Sequence, residues 1–313
     1  MLTVLLATRN RARILQDVLE SYCRLQQPSS GWKLVVVDNG STDQTAQVIA
    51  SFANRLPLFS VCEPKLGKNH ALNAGLGLVE GDLAVFTDDD AFPHADWLVQ
   101  LRKAADVQPA YSLFGGPVVP RWEAPPPAWI RWVEPGPVYA LTDCSWEEGP
   151  IAPCFVFGPN MAVRTSVFQS GMRLDPSIGP KGSSYAMGSE TEFVFRLSRQ
   201  GHQAWHVRGA VVEHLIRETQ MKKSWVLGRA VRYGRGIYRN FYAEETPVWK
   251  LWMGIPRRLF RDIPKEGLRI SAACLLFKRE AVFRACWRFN FLRGQAIEAH
   301  FLARRKSAQA QST

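Results

Sequence analysis

Three aspartates stand side by side in "DLAVFTDDDAFPHADWL", residues 82–98. Adjacent carboxylates repel, so a fold that keeps Asp88, Asp89 and Asp90 together needs positive charge among them. The run before them is apolar and strand-like. Successive side chains of a strand alternate faces, which sends Asp88 and Asp90 one way and Asp89 the other. Two hard oxygen donors on one side suit Mg2+ or Mn2+, which bind through one or two carboxylates plus substrate phosphates. The competing reading is an acid-rich helix cap before "AFPHADWL", with Asp96 capping the helix that follows; one aspartate would be enough for that.

The elements that must position these acids alternate between two periods. "LTVLLAT" (2–8), "KLVVVDN" (33–39), "FSVCEP" (59–64) and "DLAVFTD" (82–88) are short, nearly continuous apolar runs, the pattern of strands buried on both faces. Between them Leu15, Val18, Leu19, Tyr22 and Leu25 recur at helical spacing. "STDQTAQVIASFA" offers Ser41, Thr42 and Asp43 as N-caps and places Ala46, Ile49 and Ala53 on one face. A third helix is expected from about Lys68 through Val79. This order predicts an α/β fold with a largely parallel sheet flanked by helices. In such sheets ligands bind beyond the carboxyl ends of the strands, where Thr8, Asp38 and the aspartate cluster all fall. For Asp38 alone, a plain strand–turn–helix corner through Asn39-Gly40 is the competing reading.

Residues 117–153, rich in Pro and Trp, predict a long lid or binding loop, with a passive surface excursion the competing reading. "CFVFGPNMAV" (154–163) and "QAWHVRGAVVEH" (203–214) read as strands, "ETEFVFRLSRQG" (190–201) as a helix, and 218–303 as mainly helical before a frayed tail at 304–313.

With 313 residues, 46% of them hydrophobic, the chain can bury a full core. Its six cysteines form no C-x-x-C pair and read as reduced thiols. "MLTVLLATRNRAR" lacks a basic start and a small-residue cleavage site, so it reads as a buried first strand rather than a leader. No run approaches the ~20 apolar residues that would span a bilayer. The net charge of +11 is uneven: residues 251–313 hold 13 Lys/Arg against 4 Asp/Glu, a net +9.

Together "LLATRNR", "VVVDNGSTD", "GKNHALNAGL", "FTDDDAFPHADWL" and "GPNMAVRTSVFQSGMRLDPSIG" resemble the family 2 glycosyltransferases, inverting enzymes of the GT-A fold, over about residues 1–215. The resemblance implies a nucleotide-diphospho-sugar transferase domain at 1–216, with 1–116 holding the donor and 117–216 the acceptor and catalysis. It implies a nucleotide-sugar donor, a UDP-sugar, contacted by Thr8, Arg9, Asp38, Lys68, Asp88 and Asp89. Asp38 would accept a uracil N–H, and Lys68 would lie near the base or ribose. Mn2+ or Mg2+ would be held by Asp90 and Asp88, with His214 a third ligand in place of a plain structural histidine. The acceptor-side base, often an aspartate after a glutamate in the family, falls here on Glu190 after Ser189, with Glu192 the fallback; both glutamates could instead simply favour a helix N-terminus. Asn160, Glu192 and Arg217 are further candidates beside the sugars or the diphosphate.

The basic, aromatic stretch at 217–303 suits an anionic membrane surface; a helical appendage with a solvated basic face is the competing reading. A glycan or lipid-linked acceptor and a cytoplasmic enzyme peripheral at the inner face of the plasma membrane follow as expectations. No nucleic-acid module is visible. Nucleotidyl transfer is disfavoured because "LLATRNRARIL" lacks a glycine loop, and a degenerate nucleotide- or glycan-binding domain because Asp90 is retained.

Overall fold

A computed structural model describes residues 1–180 and 185–310 of the protein. They form two compact units. The first comprises Met1–Glu123, Tyr139–Ser177 and Ser189–Ile216; the second comprises Ala124–Val138, Ile178–Gly188 and Arg217–Thr313. The boundary expected at 216 is thus the last crossing between them, and two earlier segments group with the C-terminal helices.

The first unit opens with β1 (Leu2–Thr8), α1 (Ala12–Tyr22), β2 (Trp32–Asp38) and α2 (Thr45–Ser51). There follow β3 (Leu58–Cys62), α3 (Lys68–Leu76), β4 (Leu83–Asp88), β5 (Ala91–Pro93) and α4 (Trp97–Val107). β6 (Leu113–Gly115) and β7 (Val118–Trp122) precede the short α5 (Pro135–Tyr139), which ends at a crossing between units. β8 (Gly149–Ile151), β9 (Met161–Arg164), α6 (Ser166–Gln169), α7 (Ser189–Arg199), β10 (Ala204–His206) and β11 (Val212–Ile216) complete it.

An eight-stranded sheet runs β3-β2-β1-β4-β9-β6-β10-β8, parallel through its first four strands, with β9 and β8 antiparallel to their neighbours. The near-continuous apolar runs are explained by burial on both faces. Leu2, Val4, Leu6, Leu34, Val36, Leu83 and Val85 pack into one core, and Leu5, Val35, Val37, Ala84 and Phe86 into the other. Burying both faces removes several hundred Å2 of apolar surface from water, at about 25 cal/mol per Å2, which anchors the strand ends.

Three expectations change in detail. The buried face of α2 is Thr45 and Ile49, continued by Phe52 and Leu56, while Ala46 and Ala53 are exposed. The strand read across 154–163 is a strand only from Met161; two 3-10 turns, Pro153–Phe155 and Gly158–Asn160, precede it. The stretch read as a long loop holds β7, α5, β8 and a 3-10 turn at Ala128–Trp132.

A second sheet has the order β5-β11-β7. Its antiparallel β5–β11 pair sets His214 directly opposite Ala91, the residue after the aspartates.

The second unit carries α8 (Lys223–Ile237), a two-stranded ladder of β12 (Leu251–Trp252) and β13 (Ile255–Pro256), α9 (Arg257–Leu275) and α10 (Arg279–Ala310). α10 packs along both α8 and α9. Gly234 and Gly294 allow the close α8–α10 approach, since a Cβ on either would strike backbone of the other helix. The tail expected from 304 is helical to Ala310, and 311–313 lies outside the described residues. All six cysteines are unbridged. Among the described residues no helix is long and apolar enough to cross a membrane.

Candidate active site

The parallel register sets Thr8 beside Asp38 and Ala7 beside Asp88, so three strand ends deliver polar groups to one rim. β4 stops at Asp88, yet the alternation holds through the following turn. Asp89 turns to Thr8, whose hydroxyl donates to its Oδ2 at 2.7 Å. Asp88 and Asp90 converge instead with His214, their ligand atoms all within 4.8 Å of one another. Asp96 takes the N-cap position of α4, which begins at Trp97, but its side chain makes no capping bond and Asp88–Asp90 stand apart from that helix start.

The histidine is oriented for a ligand role. A carbonyl can only accept, so the Tyr139 oxygen 2.7 Å away keeps the proton on His214 Nδ1. Nε2 then faces Asp90 Oδ1 at 3.3 Å. A histidine that donates one ring N–H to a carbonyl and offers the other nitrogen is the arrangement metal-binding histidines use. The Leu215 N–H donates to the Asp90 carbonyl at 2.9 Å and pins β11 to the acid turn. Two carboxylates and an imidazole suit a Mn2+ or Mg2+ ion, so these residues fit the implied metal.

The electrostatics show how tightly charge is packed. Burial, then the Asp90 charge, pushes Asp89 up to about 7. Burial would raise Asp90 as well, but His214 brings it below the usual carboxylate range. Burial would lower His214, yet the facing Asp90 raises it.

Lys68, the first residue of α3, bridges two acids: Nζ lies 2.6 Å from Asp88 Oδ1 and 2.5 Å from Glu190 Oε1. All three side chains remain about one-fifth exposed, at 20%, 22% and 21%. The resemblance placed Lys68 near base or ribose; here it joins the metal triad to the candidate base. Burial would raise Glu190, but Lys68 holds it down to about 2. Ser189 donates to its other oxygen at 2.7 Å, and its position in the first turn of α7 favours the ionised form. Gly158 makes room for it, since a Cβ there would sit 2.8 Å from Glu190 Cγ.

The remaining expected residues have these surroundings. Asn160 is fully buried, accepting from Trp97 Nε1 and donating to the Pro117 and Ala210 carbonyls. These bonds tie Trp97 to the chain at Pro117 and Ala210. Glu192 is paired with Arg196 one turn on. Arg217 is the first residue of the second unit's last segment, where its N–H donates to Gln220. Asp38 accepts from the Ser41 N–H at 2.9 Å, and Arg9 is exposed.

Two further residues act on the rim. Buried Asn39 donates to the Glu63 and Lys65 carbonyls and accepts from the Gly67 N–H, clamping the loop that presents Lys68. The Arg11 charge acts on both Asp89 and Asp90 from the rim of a cleft of about 770 Å3.

Fold and site together are those of an α/β domain with two carboxylates and a histidine converging at its strand ends. The model of the glycosyl transferase family 2 matches residues 3–168, more than half of the chain, which therefore belongs to that family. Glucosyl-dolichyl phosphate glucuronosyltransferase of Haloferax volcanii is 25% identical over 207 residues, covering 64% of this chain and 65% of that protein. Validoxylamine A glucosyltransferase of Streptomyces hygroscopicus is 33% identical over 112 residues, 35% of this chain and 26% of the relative. The chain thus spans less than two thirds of these curated relatives. Among solved structures, the mannosyltransferase PcManGT of Pyrobaculum calidifontis, in complex with GDP-Man and Mn2+, superposes with a TM-score of 0.63 at 19% identity, over 95% of this chain and 86% of that one. S. aureus TarS 1–349 in complex with UDP-GlcNAc gives 0.56 at 15%, over 94% and 90%. These two likenesses establish the GT-A fold.

Proposed function

We propose that the protein moves a sugar from a UDP-sugar to a hydroxyl of a glycan or lipid-linked acceptor, inverting the anomeric carbon, at the cytoplasmic face of an anionic membrane. One observation carries this reading: Lys68 ties the candidate base Glu190 to Asp88 of the metal triad, so proton acceptor and diphosphate site lie one side chain apart.

Asp88, Asp90 and His214 would hold Mn2+ or Mg2+, which neutralises charge on a departing diphosphate. Asp38 accepts a uracil N–H, while Thr8, Arg9 and Asp89 line the nucleoside side. Lys68 keeps Glu190 ionised and free to accept a proton, though a carboxylate with a pKa of about 2 is a weak base. As Lys68 engages the donor phosphates, Glu190 is released and its basicity rises. Glu190 then takes the acceptor hydroxyl proton while that oxygen attacks the anomeric carbon. The bond to the diphosphate oxygen breaks with its electron pair on the leaving group, and the single displacement inverts the centre.

Thermal unfolding of the full chain with UDP, GDP, CMP or ATP, with and without Mn2+, tests the donor site. The expected result is a rise in Tm with UDP that needs Mn2+ and is lost in Asp90→Ala, because a ligand of the folded state stabilises by mass action. A rise with GDP alone overturns the uridine assignment, and no rise with any nucleotide overturns the donor site.

A further inference from the structure

The last turn of α9 ends in an unusual residue. Phe277 N–H donates to the Cys274 carbonyl at 3.0 Å and Lys278 N–H to the Ala273 carbonyl at 3.0 Å, the paired bonds of a Schellman cap. The residue at its left-handed position is normally glycine, because a Cβ is strained there. Here it is phenylalanine with φ +53°, and its side chain gains no shelter in return, being 91% exposed. Leu275 and Leu276 beside it are 79% and 63% exposed.

The apolar surface continues along the helix. Phe260, Pro264, Leu268, Ala272 and Leu275 are exposed and follow one another at three- or four-residue steps. They define a face opposite the one that buries Leu259, Glu266 and Ala273. Trp252, 55% exposed, lies edge-on to Phe260 with ring centroids 4.6 Å apart. Along one edge of this stripe run the exposed cations Arg258, Arg261, Lys265 and Arg269, and Lys278 and Arg279 follow the apex. An apolar stripe edged by cations is the surface that settles into the headgroup layer of anionic lipid.

From this geometry we infer that the outward face of α9 and the Leu275–Phe277 apex are a membrane-docking element, with Phe277 inserted among acyl chains and the cations on anionic headgroups. This deepens the membrane reading above and is independent of the donor site. A lipid partner accounts for both halves of the surface: the rings and leucines need an apolar phase, and the cationic edge, within a segment of net +9, needs negative charge next to it.

The test is sedimentation of the full chain with vesicles of phosphatidylcholine alone or mixed with phosphatidylglycerol. Binding is expected only to the anionic vesicles and should weaken as salt is raised. Phe277→Gly places the preferred residue in the left-handed position, so the fold is retained or stabilised while the inserted ring is lost; vesicle affinity should fall about tenfold. Lys265→Glu with Lys278→Glu should also lower it by at least about tenfold. The nucleotide-dependent Tm rise should survive in every variant, which keeps failure here apart from failure of the donor site. The inference is overturned if the parent ignores anionic vesicles or if Phe277→Gly binds as the parent does. It is equally overturned if the parent is a dimer that Phe277→Gly splits, since the occupant is then a second copy.

Discussion

Each unit contains a three-membered ionic bridge, and the two are inverse. In the first, one cation, Lys68, sits between two carboxylates, Asp88 and Glu190. In the second, one carboxylate, Glu298, sits between two guanidiniums, with Arg235 Nε at 2.7 Å and Arg239 Nε at 2.6 Å. The Lys68 bridge is partly open to solvent and leaves excess negative charge beside Asp90 and His214. The Glu298 bridge is closed: its carboxylate is 0% exposed, and the two arginine side chains are 11% and 14% exposed. A closed bridge fixes a helix packing, whereas an open one with charge left over can exchange its partner for a ligand. Similar chemistry is therefore structural in one place and available for function in the other.

Three substitutions test that contrast. Glu190→Gln removes the candidate base and should lower kcat by about 10^2–10^4, with the UDP-dependent Tm rise kept, as measured by transfer assay and thermal unfolding. Glu298→Leu should do the reverse. It leaves two arginines without their buried counter-ion and should cost about 3–5 kcal/mol in urea unfolding, with nucleotide binding unchanged in whatever fraction remains folded. Gly158→Ala is the smallest change: its methyl group would crowd Glu190, and a displacement of about 1 Å can cost up to about 10^2 in kcat. Comparable kcat in Gly158→Ala and the parent would show that Glu190 is free to move without losing its function.

The strands and the rim were legible because burial on both faces writes an almost unbroken apolar run, as in Leu34–Val37, and strand ends can be read from where it stops. Periodicity failed where a polar residue is buried. Thr45 is 0% exposed and its hydroxyl accepts the Arg11 N–H, so the buried face of α2 keeps the expected Ile49 but takes Thr45 and Phe52 in place of Ala46 and Ala53. It failed again at Phe155, an apolar residue that is 46% exposed in a 3-10 turn. Nor does the sequence show the burial of Asn160, whose amide satisfies the Pro117 and Ala210 carbonyls. The clamp by Asn39 and the Lys68 bridge depend on pairings between distant segments that no local pattern encodes.

The pinning of β11 to the acid turn has a consequence for how the protein is made. His214 and Asp90 are 214 − 90 = 124 residues apart, and Lys68 and Glu190 are 122 apart. On the ribosome, β1 through β4 can emerge and pair, with Thr8 and Lys68 already at hand for Asp89 and Asp88, while Asp90 still lacks His214 and Lys68 still lacks Glu190. The acid turn is completed only when the last strand of the first unit leaves the exit tunnel. Contacts of such long sequence separation are slow to form, so the functional rim is among the final parts of the newborn chain to mature.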